Sequence, residues 1–337
     1  MNDHVSISVL GERGLIDRLQ QRLGPAPPFV RIGIGDDAAV LLPERGMQQV
    51  VTTDSLIEGV HFRRDWTPAR AIGHKALAVN LSDLAAMGAA PRAAVLSLAM
   101  PSDLRLQDFD DLIDGFATLA LASGTTLVGG NMTRSPGPLV VDVTLLGSVR
   151  PRRVLLRRGA AAGDRLYVTG TVGAAAAGLA ILQAGVDRGT LAEAELACLA
   201  RYERPEPRVR FAGIVARTGA ARAAIDLSDG LGDAAVRLAD AAGLGVTVAA
   251  DQVPIAPGAA PWLTQSGTEA VKAALAGGED YEVAFAVPPR RDSRFRAAAR
   301  RCPELQVTHV GTFQKTPGAW LDIDGRLDPI GHGYDHF

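Results

Sequence analysis

The sequence predicts an α+β fold in two domains, and three observations carry that expectation. The chain has 337 residues, enough for two domains that each bury a core of their own. Strand-like and helix-like runs follow one another in mixed order, which favours α+β over a doubly wound sheet whose strands and helices alternate strictly. A turn framed by Gly159 and Gly163 and ending in Asp164 interrupts the pattern near the middle. It separates an expected domain over 1–150 from a second over 151–337.

Taken in order, residues 12–23 have apolar positions at helical spacing and stop at Gly24 before Pro25, Pro27 and Pro28. Short β-prone runs over 30–34, 38–42 and 49–53 follow, separated by turn residues. Pro68 opens a long helix through Met87, with Ile72, Ala76, Val79, Leu84 and Met87 at helical spacing and Gly88 as its stop. That helix carries Asp83. A strand over 93–100, a helix over 104–123, a strand over 126–128 running into Gly129, Gly130 and Asn131, and a strand over 139–147 complete the first domain. The second opens with a strand over 165–169, a turn over 170–173 and a helix to Gln183.

The formal charge is −2, so no overall basic field exists to collect nucleic acid. Arginine supplies nearly all the positive charge, the lysines being Lys75, Lys272 and Lys315; together with the abundance of Ala and Gly this reads as composition bias. Cys198 and Cys302 lie far apart and near no histidine cluster. Neither a disulfide framework nor a zinc site is suggested, and a reducing cytoplasm fits. The amino terminus lacks a basic region followed by an apolar run, and no stretch approaches the ~18 apolar residues of a membrane span.

Six aspartates, Asp36, Asp37, Asp54, Asp83, Asp226 and Asp229, fall in short segments framed by Gly, Ser or Thr. Any one such segment is by default a turn or a helix cap. Four together point to one site, because gathered carboxylates repel and raise each other's pKa unless a cation joins them. Hard oxygen ligands of this kind suit Mg²⁺, which binds through a few carboxylates plus water and substrate phosphates. Phosphoryl transfer from a nucleotide is the chemistry this pattern suggests.

Other phosphate-binding signatures fare worse. Gly33, Gly35 and Ala38 match the loose dinucleotide fingerprint, but strand and turn residues follow where that fingerprint requires a helix. No Gly-Lys dipeptide exists, so the Walker loop is absent, and the protein-kinase signatures and the nucleophile elbow are missing too. The turn over 170–173 either cradles phosphate on its amides or is a plain strand-to-helix turn; both readings stay open.

The segments Gly33 to Ala39, Thr52 to Asp54, Gly59 to Phe62, Lys75 to Gly88, Ala224 to Leu231, Gly277 to Glu282 and Gly333 to Phe337 strongly resemble those of the thiamine-monophosphate kinase family, in order and spacing over essentially the whole chain. The wider superfamily also holds aminoimidazole ribonucleotide synthetase, selenophosphate synthetase and a hydrogenase maturation protein. His61 and Phe62, the 277–282 segment and the terminal residues place the resemblance in the thiamine branch.

The resemblance implies two domains of the aminoimidazole ribonucleotide synthetase-like type, the first forming a barrel-like interface in a homodimer. It implies Mg²⁺-dependent, in-line transfer of the ATP γ-phosphoryl group to thiamine monophosphate, giving thiamine diphosphate and ADP, the last step of thiamine diphosphate biosynthesis. The acceptor oxygen is already anionic, so no acid or base catalyst is expected and the task is to hold two anions in line. By position, the family's metal ligands fall on Asp37, Thr52, Thr53, Asp54, Asp83, Asp226 and Asp229, with Asp36 adjacent. Nucleotide contacts fall on Gly130, Asn131, Arg157 and Ser228. Those to thiamine monophosphate fall on His61, Glu279 and Tyr334. Where the family commonly has Gly-Gly-Asp-Thr, this chain has Gly129, Gly130, Asn131, Met132 and Thr133, so Asn131 offers the metal a neutral oxygen in place of a charge.

Two other functions compete. Another ATP-dependent enzyme of the superfamily would need a cysteine at the carboxyl end or a reactive residue near the amino end; this chain ends in His336 and Phe337 and has no cysteine before Cys198. A non-catalytic nucleotide or thiamine-phosphate sensor is disfavoured by the retention of nearly every metal position.

Overall fold

The computed structural model describes residues 5–264 and 269–331. Tyr334, with the rest of the terminal segment, lies outside the described residues. The chain divides into two compact units, one holding the residues up to Leu84 together with Ala90–Pro151, the other Ala85–Ala89 and the residues from Arg152 onward.

The first unit runs α1 (Gly11–Gln20), β1 (Val30–Ile32), β2 (Val40–Leu41), β3 (Gln48–Ile57), α2 (Ala69–Ala86), β4 (Ala90–Pro101), α3 (Leu106–Ser123), β5 (Thr126–Ser135) and β6 (Val140–Val149). β1 and β2 pair with each other. The other strands form a sheet in the order β3-β6-β4-β5, antiparallel except for β4 and β5, which α3 connects in parallel.

Burial alternates along β3 and β6 with the strand period of two. Thr52, Asp54 and Leu56 pair with Leu145, Val143 and Val141 on the covered face; Val51, Thr53 and Ser55 pair with Leu146, Thr144 and Asp142 on the other. Helix α2 lies on the covered face, where Leu84 comes so near Gly147 that a Cβ there would stand 2.8 Å from a Leu84 methyl. Between Ala71 and Ala86, His74 and Asp83 alone escape full burial. This helix is therefore a core element, buried almost all round, with Lys75, Asn80 and Ser82 among its buried residues.

α2 and α3 cross backbone to backbone. A Cβ on Gly73 would fall 1.9 Å from the Leu112 carbonyl oxygen, and one on Gly115 would fall 1.9 Å from that of Arg70. Glycine at both positions is what permits the approach.

Two strands run longer than their local signals suggest. β3 continues past Thr53 to Ile57 because it has a partner on β6 at every residue, so Asp54 stands within a strand and not in a turn. β5 continues through Gly129 and Gly130, which local propensity would make breakers, because its parallel ladder with β4 carries on to Ser135. Among the described residues this sheet is open, with β3 and β5 at its edges; it does not close into a barrel within one chain.

The second unit contains β7 (Arg165–Thr169), α4 (Ala174–Ala184), α5 (Glu193–Glu203), α6 (Val209–Thr218), β8 (Ala223–Asp226), α7 (Leu231–Asp240), β9 (Gly245–Ala249), α8 (Ala260–Leu263), α9 (Ala270–Ala276), β10 (Val283–Val287), α10 (Asp292–Ala299), β11 (Val307–Gln314), β12 (Gly318–Ile323) and β13 (Arg326–Pro329). Its seven-stranded sheet has the order β13-β12-β9-β11-β7-β10-β8, with β12 and β9 the parallel pair.

Alternate residues feed two cores, one on each face of this sheet. Leu166, Val168, Ile225 and Ala284 pack with α4 and α7, while Tyr167, Ala224, Val283 and Phe285 pack with α6 and α10. Phe211, Phe285 and Phe295 meet edge to face at 5.5–5.7 Å, the geometry that ring quadrupoles favour.

Candidate active site

In the first unit the covered face of the sheet gathers an acidic group. The Thr52 hydroxyl on β3 donates to the Asp83 carboxylate on α2. Asp54, two residues further on the same face, is pushed up to about 7 by burial first and then by the charges of Asp83 and Asp142. Asp54 and Asp83 repel on this face, with Asp142 adding its charge from the other side of the sheet, and a cation beside Asp54 and Asp83 would relieve the repulsion.

The remaining positions of this unit stand elsewhere. Thr53 faces the other side of the sheet, its hydroxyl donating to the Val143 carbonyl at 3.2 Å and lying 3.1 Å from the Thr144 hydroxyl. Asn131 belongs to a row that crosses all four strands, Ser55, Asp142, Ser97 and Asn131, one residue along from the row of Asp54. Gly130 stands beside Leu96, where a Cβ would fall 1.9 Å from the Leu96 carbonyl oxygen. Asp36 and Asp37 sit on an exposed turn, the Asp37 amide donating to the Asp36 carboxylate at 2.9 Å. His61 follows β3 and receives the Ile57 amide on Nδ1 at 3.1 Å; buried Lys75 donates to its carbonyl at 3.4 Å.

In the second unit, Asp226 ends β8 and is buried, and the turn after it leads into α7. Ser228 donates its hydroxyl to Asp229 at 3.2 Å. The segment Gly277 to Glu282 is laced to this turn. The Glu279 amide donates to the Ser228 carbonyl at 2.7 Å, the Tyr281 amide to that of Leu227 at 3.1 Å, and the Leu227 amide to that of Glu282 at 2.8 Å. Gly278 and Gly230 allow the approach, since a Cβ on Gly278 would stand 2.6 Å from the Ser228 carbonyl oxygen and one on Gly230 would stand 2.8 Å from that of Gly277. Arg157 stands on an exposed stretch whose neighbour Leu156 accepts the Ala224 amide of β8.

The turn over 170–173 is resolved here. The amides of Gly173 and Ala175 at the start of α4 donate to Asp280 at 2.6 and 2.9 Å, while those of Gly170 and Val172 donate to the carbonyls of Gln306 and Pro254. A carboxylate of the protein already holds the helix terminus. The phosphate-cradle reading of this turn fails.

Comparisons with known proteins bear on the fold and the family. Residues 35–149 match the AIR synthase related protein N-terminal domain, and residues 161–322 match the corresponding C-terminal domain. The thiamine-monophosphate kinase of Synechococcus elongatus is 36% identical over 98% of this chain and 98% of its own. The chain belongs to the thiamine-monophosphate kinase family. Among solved structures, the thiamine-monophosphate kinase of Stenotrophomonas maltophilia K279a superposes with a TM-score of 0.82 at 37% identity, covering 96% of this chain and 99% of that one. A second, AaThiL complexed with AMPPCP and TMP, has a TM-score of 0.77 at 31% identity and covers 98% of both chains.

Within this thiamine-monophosphate kinase family member, three acidic residues act to which sequence analysis assigns no role of their own, although Asp280 and Glu282 lie in the 277–282 segment. Asp142 accepts a hydrogen bond from Ser55 and adds its charge to Asp54. Asp280 caps α4, and Glu282 receives the Arg208 guanidinium. Asp142 interrupts an otherwise apolar β-run, which is the one local signal it gives. Asp280 and Glu282 bracket Tyr281 just before a buried strand, and their partners lie 74 to 113 residues away.

Proposed function

We propose that this protein is a thiamine-monophosphate kinase that moves the γ-phosphoryl group of ATP onto the phosphate of thiamine monophosphate, releasing ADP and thiamine diphosphate. Full-length identity of 36–37% to proteins of that name carries the reading, together with a relative of 31% identity solved with AMPPCP and TMP.

The donor set suits Mg²⁺. Its side chains offer oxygen alone, and Asp54, pushed up by burial first and then by the charges of Asp83 and Asp142, is a carboxylate whose ionised form a divalent cation would stabilise. Among the described residues no three His, Cys, Asp or Glu side chains are grouped to hold a metal by themselves; Mg²⁺ is the ion that completes its shell with water and substrate phosphates. Several such ions are expected: in the first unit Asp37, Thr52, Thr53, Asp54 and Asp83 would be their ligands, with Asn131 as a neutral contributor, and in the second unit Asp226 and Asp229. Bound there, Mg²⁺ supplies charge neutralisation for the phosphate chain and the transferring group.

The chain's own residues position. Thr52 fixes Asp83 through its hydroxyl, so the helix carboxylate is oriented before substrate arrives. Gly130, Asn131, Arg157 and Ser228 are the nucleotide contacts; His61, Glu279 and Tyr334 are those to thiamine monophosphate. A carboxylate and an aromatic face suit a cationic heteroaromatic ring. No side chain is asked to remove a proton, because the attacking oxygen is anionic near neutral pH.

The homodimer through the first sheet, which the resemblance implies, is part of this reading; Val51 on β3, 61% exposed, is an apolar side chain left for such a contact. A cytoplasmic setting agrees with the free, buried Cys198 and Cys302. Among the described residues no helix is long and apolar enough to cross a membrane. Product analysis with thiamine monophosphate, selenide and an aminoimidazole precursor offered separately tests the reading: phosphorylation of thiamine monophosphate alone upholds it, and turnover of either other acceptor in its place refutes it.

A further inference from the structure

Glu279 and Tyr281 have φ of 66° and 50°. Positive φ strains any residue with a Cβ, and it persists where the surroundings enforce it. The residue between them, Asp280, and the residue after them, Glu282, are both fully buried carboxylates. Burying charge is costly unless every oxygen finds a partner.

Both find partners in the body of the second unit. Asp280 accepts from the Gly173 and Ala175 amides at 2.6 and 2.9 Å, at the positive end of α4. Glu282 accepts from Arg208 Nε at 2.7 Å and from a second Arg208 nitrogen, and from the Thr169 hydroxyl at 2.6 Å. Arg201 stands 3.8 Å away. Gly170 leaves room for that carboxylate, since a Cβ there would fall 2.0 Å from Glu282 Oε1. The strained segment is thus pinned twice from below, and its upper edge bonds to Leu227 and Ser228.

We infer that Asp280 and Glu282 are positioning residues: anchored on α4 and on Arg208, they hold the strained backbone that presents Glu279 to thiamine monophosphate, in fixed register with the Asp226 to Asp229 turn. The inference rests on the reading of Glu279 as a substrate contact. Neither anchor touches substrate. Each acts through Glu279, so loosening either weakens the grip on thiamine monophosphate without removing any group that meets it.

Steady-state kinetics of the full-length protein test this. Asp280→Asn keeps the shape but turns a donor toward a donor at one of the two amides. Arg208→Lys keeps the charge but loses the two-pronged contact with Glu282. Glu279→Gln removes the charge of the substrate contact itself. Glu279→Gln and Asp280→Asn are each expected to raise KM for thiamine monophosphate roughly tenfold, as displaced positioning groups do. Arg208→Lys raises it less, and the double variants with Glu279→Gln are no worse than Glu279→Gln alone.

A purely structural role would lower the melting temperature and leave KM of the folded fraction unchanged; that result, or effects that multiply in the double variants, overturns the inference. Where Asp280→Asn fails to fold, Arg208→Lys reads the same anchored segment. An unchanged KM in Glu279→Gln, by contrast, overturns the assignment of Glu279 to substrate, and is recognised because it appears without either anchor variant.

Discussion

Thr52 on β3 donates its hydroxyl to the carboxylate of Asp83 on α2, thirty-one residues later in the chain. The contact joins a strand and a helix, and it fixes the orientation of a carboxylate on a helix buried almost all round. Asp83→Asn keeps the shape and the bond to Thr52 while removing one negative charge. The variant is expected to fold with a near-parental melting curve and to lose activity by orders of magnitude, since catalysis of phosphoryl transfer relies chiefly on electrostatic stabilisation of the transferring group. Normal turnover at saturating Mg²⁺ would exclude Asp83 as a ligand.

The raised Asp54 pKa has a consequence for stability. In the fold the group titrates near 7 and in the unfolded chain near 3.8, so the folded state holds more protons between those values. The contribution is fully present below about pH 4 and is lost as pH rises through about 7. In metal-free protein the melting temperature of Asp54→Asn, minus that of the parent, should therefore grow across that interval. Added Mg²⁺ should stabilise the parent more than the variant. A difference that stays flat with pH would contradict the burial of Asp54 beside the charges of Asp83 and Asp142.

The crossing of α2 and α3 is a packing constraint with a sharp test. Gly73→Ala puts a methyl group where 1.9 Å separates its position from the Leu112 carbonyl oxygen. Backbone must move to admit it, and overpacking of this kind costs about 1–3 kcal/mol or more. A melting temperature lower by several degrees is expected, with Gly115→Ala behaving alike. An unchanged melt in both would mean that the helices do not cross this closely.

On the proposed reading, Asn131 would offer the metal a neutral oxygen where the family that the sequence resembles commonly has Asp. Restoring charge with Asn131→Asp should lower the Mg²⁺ concentration for half-maximal rate, because an anionic oxygen binds the ion more strongly. The rate measured against free Mg²⁺ at saturating ATP decides it. An unmoved midpoint would leave Asn131 as a strand residue with no part in metal binding.

The mixed α+β character and most element positions were legible locally. The β-prone run over 165–169 and the helix that opens at Pro68 carry their own signals, and the strand and helix stand there. What was hidden depends on partners distant in sequence. The turn over 170–173 could not be settled until Asp280 was seen on the Gly173 and Ala175 amides, over a hundred residues away. Gly129 and Gly130 read as a strand end, and the ladder with β4 overrides them. Asp142 looked like any polar residue in a strand; its weight comes from Ser55 and Asp54 across the sheet. Asp54 itself was singled out by the sequence, but as part of a turn, because its strand is completed by β6.

The most direct measurement is the product balance of the purified protein incubated with ATP, thiamine monophosphate and Mg²⁺. Thiamine diphosphate and ADP are expected in equal amounts, with formation abolished by chelation of the metal and restored by returning Mg²⁺. ADP released with inorganic phosphate and no thiamine diphosphate, or no turnover at all under these conditions, would contradict the assignment of this protein as a thiamine-monophosphate kinase.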